Sequence, residues 1–236
     1  MKLKKIASLA LAGIMAVSML TACGESNTIT DNGNDNTNTT PAATYSSTFA
    51  AALKDQAAVN GKITMADNAE LTADLNKAIE KLSAATILRY YSDWESGTVD
   101  GYDKTVYNFD TKATYKDLVE IANDMEAVSS TTAFGTNKDM LGSNNDAWKD
   151  KTVTMLFAVD STVSANAAVA EVAADLNAKI ADLKINNKGT ATTSDDVNEL
   201  HYSYTGSVSV ATKTLTENHG MGMHIVAVQI TRTANA

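Results

Sequence analysis

The run Thr152–Val159, TVTMLFAV, is apolar on both faces of an extended chain, and that pattern fits the middle of a sheet. Downstream, Leu200–Val210 alternates cleanly. Leu200, Tyr202, Tyr204, Val208 and Val210 point one way, and His201, Ser203, Thr205, Ser207 and Ser209 the other. Met223–Thr231 reads as a last strand. Ser164 can cap a long helix that carries Val169, Val172, Leu176, Ile180 and Leu183 on one side. The order β-α-β-β predicts an antiparallel hairpin beside a strand reached by a helical crossover. The fold class expected is α+β: a helical N-terminal half, then this β-α-β-β unit. The sheet is expected to be covered on one face, with the Ser/Thr side of 200–210 turned to solvent.

The first half carries helical periodicity. Ser46–Val59 places Phe49, Leu53 and Ala57 at four-residue steps. Asp67 can cap a second helix, with Glu70 as its capping-box partner. Its stripe is Leu71, Leu75, Ile79 and Leu82, running on toward Tyr90. Thr114 and Asp117 suggest the start of a third, with Leu118, Ile121, Met125 and Val128 on its face. Thr105–Phe109 is a short strand candidate, and 129–150 reads as a long surface loop. Ala73–Leu82 (ADLNKAIEKL) and Ala174–Leu183 (ADLNAKIADL) agree at six of ten positions. A duplication and a convergence of two Ala-rich helices both give such an echo.

The N-terminus sets the location. Lys2, Lys4 and Lys5 precede the 15 uncharged residues Ile6–Leu20, too few to span a bilayer, which takes about 20, and right for the apolar part of a secretory signal. Leu20-Thr21-Ala22-Cys23 follows, and Cys23 is the only cysteine. This tetrapeptide resembles the lipobox of bacterial lipoproteins. The resemblance implies removal of residues 1–22, a diacylglyceryl group on the Cys23 sulfur, and a head held at the extracytoplasmic face of a cell membrane. Two or three acyl chains make a stable anchor. Residues 24–44, with five Asn, six Thr and the sole proline, Pro41, offer almost nothing to bury. They read as a tether with a root-mean-square reach of about 25 Å. The head is then 45–236, with 45–135 and 150–236 as possible subdomains.

Loss of the three signal lysines takes the net charge of −9 to −12. Only Arg89 and Arg232 are arginines. An acidic chain with so few arginines has no phosphate-binding track, so no nucleic-acid partner is expected, and its head stands off an anionic bilayer. The membrane is met through the lipid; a protein or glycan partner remains open.

Chemical signatures are sparse. No Gly-x-Ser-x-Gly elbow, phosphate-cradling glycine loop or His-Glu-x-x-His helix occurs. A calcium-loop pattern starting at Asn137 fails at Leu141 and at Trp148. In an extended strand His219, Met221 and Met223 share one face, and imidazole with thioethers suits Cu(I) or Ag(I). The segment resembles the His-Met clusters of copper-handling proteins; a hairpin turn ending at Gly220, with Met221 and Met223 packed as core filler, is the simpler explanation. Seven aromatics fall between Tyr90 and Tyr115. Tyr90, Tyr91 and Trp94 could bind a glycan, and Asp93, Glu95, Asp100 and Asp103 could supply a hydrolytic pair. The same residues also make an ordinary core. The expectation is a non-enzymatic extracytoplasmic binding or interaction module with no cofactor beyond the lipid on Cys23. Soft-metal binding and a small glycan-binding or hydrolytic head are the alternatives.

Overall fold

The computed structural model describes residues 44–54, 61–95, 106–135, 149–188, 199–215 and 221–235. Every described residue belongs to one compact unit, Ala43–Ala236. The expected signal, Cys23 and nearly all of the tether lie outside the described residues.

The helices are α1 (Tyr45–Lys54), α2 (Ala69–Ala78), α3 (Ala84–Glu95), α4 (Lys116–Asp124), α5 (Ser130–Ala133) and α6 (Ala165–Ala181). The strands are β1 (Thr64–Met65), β2 (Val106–Phe109), β3 (Lys151–Asp160), β4 (Asn186–Lys188), β5 (Glu199–Thr214) and β6 (Gly222–Asn235). They form one six-stranded sheet in the order β1-β5-β6-β3-β2, with β4 also paired to β5. β5 and β6 are the expected hairpin, and β6 lies antiparallel to β3 over the whole of β3, from Lys151 opposite Arg232 to Asp160 opposite Met223. Among the described strands only β1 joins in parallel, with Thr64 opposite Thr205 and Met65 opposite Gly206. The architecture is α+β, helical first and β-α-β-β afterwards, with the short strands β1, β2 and β4 added to it.

Both faces of the sheet carry a layer of helices, which corrects the expectation of a one-sided sheet. On one face Met155, Phe157, Tyr204, Val226, Val228 and Ile230 pack against α1 and the Val169, Val172, Leu176 and Ile180 stripe of α6. On the other, Leu156, Ala158, Ala211, Met223, Ile225 and Ala227 pack against Leu71, Leu75, Ile87, Leu118 and Ile121 from α2, α3 and α4. This second layer explains why TVTMLFAV is apolar at successive positions: its odd and even residues enter different cores. It also buries Ser207 and Ser209, which were expected in solvent; Ser209 Oγ lies 2.7 Å from Thr72 Oγ1 of α2. His201, Ser203 and Thr205 are exposed as expected.

Local chemistry moved several boundaries. The α2 cap is Asn68, not Asp67; its side chain accepts from the Glu70 and Leu71 amides. The expected continuous helix toward Tyr90 breaks after a 3₁₀ turn, Ile79–Lys81, because Leu82 is extended and Ser83 restarts the chain by accepting from the Thr86 amide. Asp117 does not cap α4. Its carboxylate reaches across to accept from the Ser83 amide at 2.9 Å and the Thr86 hydroxyl at 2.7 Å. The chain leaves α4 through Glu126, in the left-handed region at φ 48°, with Ala127 N–H on Ala122 O and Glu126 N–H on Asn123 O. Ser164 caps α6 as expected. Lys62 Nζ closes the far end of α6 by donating to the Ala181 and Leu183 carbonyls. The two echo segments lie on opposite faces of the sheet, and α2 leads to a helix where α6 leads to a strand.

Candidate functional site

The aromatic segment folds as core. Tyr90 and Tyr91 are 4% and 7% exposed, and both pack with Phe109, Tyr115 and the helices of the second layer. Tyr90 meets Tyr91 edge-on at 5.9 Å and lies 6.1 Å from Tyr115. Their polar ends are tied down: Tyr115 donates to Asp93, itself 3.4 Å from Arg89 Nε, and the Tyr91 hydroxyl donates to Asp160 Oδ1 at 2.5 Å and Gly222 O at 2.7 Å. Burial first, and then Asp160, push the Tyr91 phenol far above its ordinary pKa. Tyr90 and Tyr91 thus offer no free ring face to a sugar, which corrects their assignment as a binding platform. The Trp94 and Glu95 side chains, Asp100 and Asp103 lie outside the described residues, as does the Asn137–Trp148 loop.

The His-Met segment comes apart in the same way. Met223 is fully buried beside Leu156 and Ile225, and Met221 is partly buried against the same cluster. A sulfur sealed among aliphatic side chains cannot meet an ion from solution without opening the core, which corrects the assignment of Met223 as a ligand. His219 lies outside the described residues. His224, the next histidine, points to the opposite face and is 5% exposed. Its Nε2 is 2.9 Å from Val163 O, so that nitrogen carries the proton, and Nδ1 lies 2.7 Å from the Thr212 hydroxyl. Among the described residues no three His, Cys, Asp or Glu side chains are grouped to hold a metal ion, and no helix is long and apolar enough to cross a membrane.

A buried cation sits at the other end of β6. Arg232 is 0% exposed; its guanidinium lies 4.9 Å from the Tyr202 ring centre and donates to Lys149 O at 2.9 Å. Neighbouring Tyr204 donates to Lys184 O at 2.8 Å. Burial pushes its phenol up to about 12, against the opposing charge of Arg232. These contacts fasten β5 and β6 to the segments around them.

What remains accessible on the sheet is polar. α2, α3 and α4 cover the half of their face nearest Asp160 and Met223. On the other half of that face three neighbouring strands carry Thr152, Gln229 and Thr231, and Ser203 and Thr205, with Thr154 and Ser207 buried beside them. Thr152 and Thr231 stand opposite each other with hydroxyl oxygens 2.8 Å apart. Asn68 donates to Gln229 Oε1 at 3.1 Å, and Gln229 donates to Thr154 Oγ1 at 3.3 Å, so the first turn of α2 marks the border. Thr152, Ser203 and Thr205 are exposed, and Gln229 and Thr231 are half-buried. In the sequence only one row of this surface, on β5, shows as an alternation. The Thr152-x-Thr154 and Gln229-x-Thr231 spacings were available but sit beside strongly apolar runs that dominate the pattern.

Comparison with protein-family models, with curated proteins and with solved structures found no match.

Proposed function

We propose that this chain is a membrane-anchored bacterial lipoprotein whose head is a non-enzymatic extracytoplasmic binding or interaction module. The observation that carries the anchor is the position of the single cysteine: Cys23 follows Leu20-Thr21-Ala22 directly after a basic start and 15 uncharged residues. The binding role draws support from the head itself. Among the described residues, helices cover one half of a sheet face, and on the other half Thr152, Ser203 and Thr205 are exposed and Gln229 and Thr231 half-buried. A surface on a rigid sheet is held in place before a partner arrives, which lowers the ordering cost of binding.

The anchor is tested by growing bacteria that express the full chain with an alkyne-tagged fatty acid. The expected result is a labelled protein in the membrane fraction, and no label on Cys23→Ser. An unlabelled wild-type chain, or label that survives Cys23→Ser, overturns the lipoprotein reading.

A further inference from the structure

The outer edge of β5 is partnered over its first ten residues and open over its last five. At its start β4 pairs with 199–201, and Ile185 O accepts from the Tyr202 amide. β1 follows at Thr205 and Gly206, with Ala66 N–H on Gly206 O, and Ser46 Oγ accepts from the Val208 amide. Even-numbered residues thus turn their backbone groups outward, and the odd ones bond to β6, as an antiparallel hairpin requires. By the same alternation Val210, Thr212 and Thr214 present their amides and carbonyls at this edge. Among the described residues no hydrogen bond reaches those groups. Thr212 and Thr214 are exposed, and Val210 is half-buried.

We propose that this open edge, 210–214, pairs antiparallel with the same edge of a second copy of the chain, so that the two sheets become one across a twofold axis at Thr212. The surface is separate from the polar half-face, and the pairing does not depend on the anchor at Cys23.

The geometry of the edge selects this occupant. A row of free N–H and C=O groups at strand spacing is matched by the backbone of another extended chain. The edge is also complementary to itself. Centred on Thr212, the register sets Val210 opposite Thr214 of the second copy and Thr212 opposite its own counterpart, and each such pair exchanges two hydrogen bonds. A register centred on Ala211 or Lys213 leaves one of these residues unpaired in each copy. The span fits as well: Ser46 closes the edge at Val208, and the chain turns at Leu215, whose amide donates to Met221 O. Val210, Thr212 and Thr214 are uncharged and β-branched, a side-chain type that packs well across strands.

Folded proteins commonly blunt an exposed edge with a proline, a bulge or an outward charge. The one charged residue of this stretch, Lys213, turns to the α2 side, where its Nζ donates to Glu80 O at 3.3 Å. In the Thr212-centred register it stands opposite Ala211 of the second copy, so like charges do not meet directly. The Thr212 hydroxyl is held by His224 Nδ1 at 2.7 Å, inward over β6, which keeps it from capping the edge.

The test uses the full chain in detergent with Cys23→Ser, which removes the only cysteine. Opposed Cα atoms of a bonded pair lie about 5.5 Å apart, within disulfide reach, whereas Thr214 and its own counterpart stand about 14 Å apart in this register. Under oxidation by copper phenanthroline, Thr212→Cys is expected to give at least tenfold more disulfide dimer than Thr214→Cys. A mixture of Val210→Cys and Thr214→Cys chains is expected to give the mixed dimer. That mixture decides the matter if Thr212→Cys, which gives up the His224 contact, fails to fold. In the wild-type chain, amide exchange at Val210, Thr212 and Thr214 should slow as protein concentration rises. Equal disulfide yields at 212 and 214, no mixed dimer, or exchange that ignores concentration overturns the proposal. An edge covered by some other polypeptide, or by another part of the same chain, gives the last of these results.

Discussion

The Tyr91 hydroxyl lies 2.5 Å from Asp160 Oδ1 and 2.7 Å from Gly222 O, so one side chain from α3 bolts the second helical layer to the ends of two sheet strands. Asp160 also accepts from the Thr162 amide at 2.7 Å, and the Gly222 carbonyl accepts from Ser161. Gly222 has no room for a side chain: an added Cβ would stand 2.5 Å from Lys213 O. Tyr91→Phe removes the shared donor while Asp160 and the Gly222 carbonyl each keep a backbone partner, so the cost is that of a lost hydrogen bond, about 0.5–1.5 kcal/mol. The melting temperature should fall by a few degrees while the circular dichroism of the folded state is unchanged.

The same residue sets an alkaline limit. The Tyr91 pKa is raised from its ordinary 10.0, by burial and then by Asp160. The unfolded chain loses that proton first, so the contribution is complete below pH 10 and declines as pH rises beyond it. Denaturant unfolding at a series of alkaline pH values should show a steeper loss in the wild type than in Tyr91→Phe. Equal slopes would mean the phenol ionises alike in both states.

Asp117 acts at the opposite end of the scale. Burial alone would raise its pKa, but the Ser83 and Thr86 hydrogen bonds, with the Lys116 charge, outweigh it and hold the carboxyl below 3.8. A depressed carboxylate stabilises the fold above its unfolded value and loses that contribution as pH falls through the folded one. Asp117→Asn should therefore cost stability at pH 6, with the gap to wild type closing below pH 3.8. A constant gap across that range would sink the assignment.

Glu126 occupies a left-handed position that glycine takes readily. Its backbone closes α4 through the Ala127 to Ala122 and Glu126 to Asn123 hydrogen bonds. Glu126→Gly should stabilise the head by about 0.5–1 kcal/mol, the relief of left-handed strain less the added freedom of the unfolded chain. A lower midpoint in urea would show that the Glu126 side chain contributes something its backbone geometry does not.

The long elements were legible because one physical signal dominated each. Ser164 with the Val169, Val172, Leu176 and Ile180 stripe specified α6, and the alternation after Leu200 specified β5. The second covering layer was written in TVTMLFAV, yet the serines of β5 argued for solvent. Their burial became visible only once Thr72 was seen across from Ser209. Asn68 displaced Asp67 as the α2 cap, since both are good caps one residue apart and only the chain path chooses. The strands β1 and β4, of two and three residues, have no periodicity to read; their pairing partners on β5 create them. For the candidate site, residue type misled. Tyrosine and methionine invite ligands, but here the rings and Met223 close the core, and the open surface belongs to threonine, serine and glutamine.

Ser46 is 2% exposed, accepts from the Val208 amide at 3.0 Å and donates to Ala66 O at 3.1 Å, which fastens the first turn of α1 to the outer edge of β5. Any pull on the chain from the side of its N-terminus enters the folded head at Tyr45, one residue before that fastening. The load then bears on the edge of a 16-residue strand whose other edge is paired to β6 from His201 to Thr214. To reach the hairpin behind it, that load must part α1 both from this edge and from α6, against which Phe49 and Leu53 are buried.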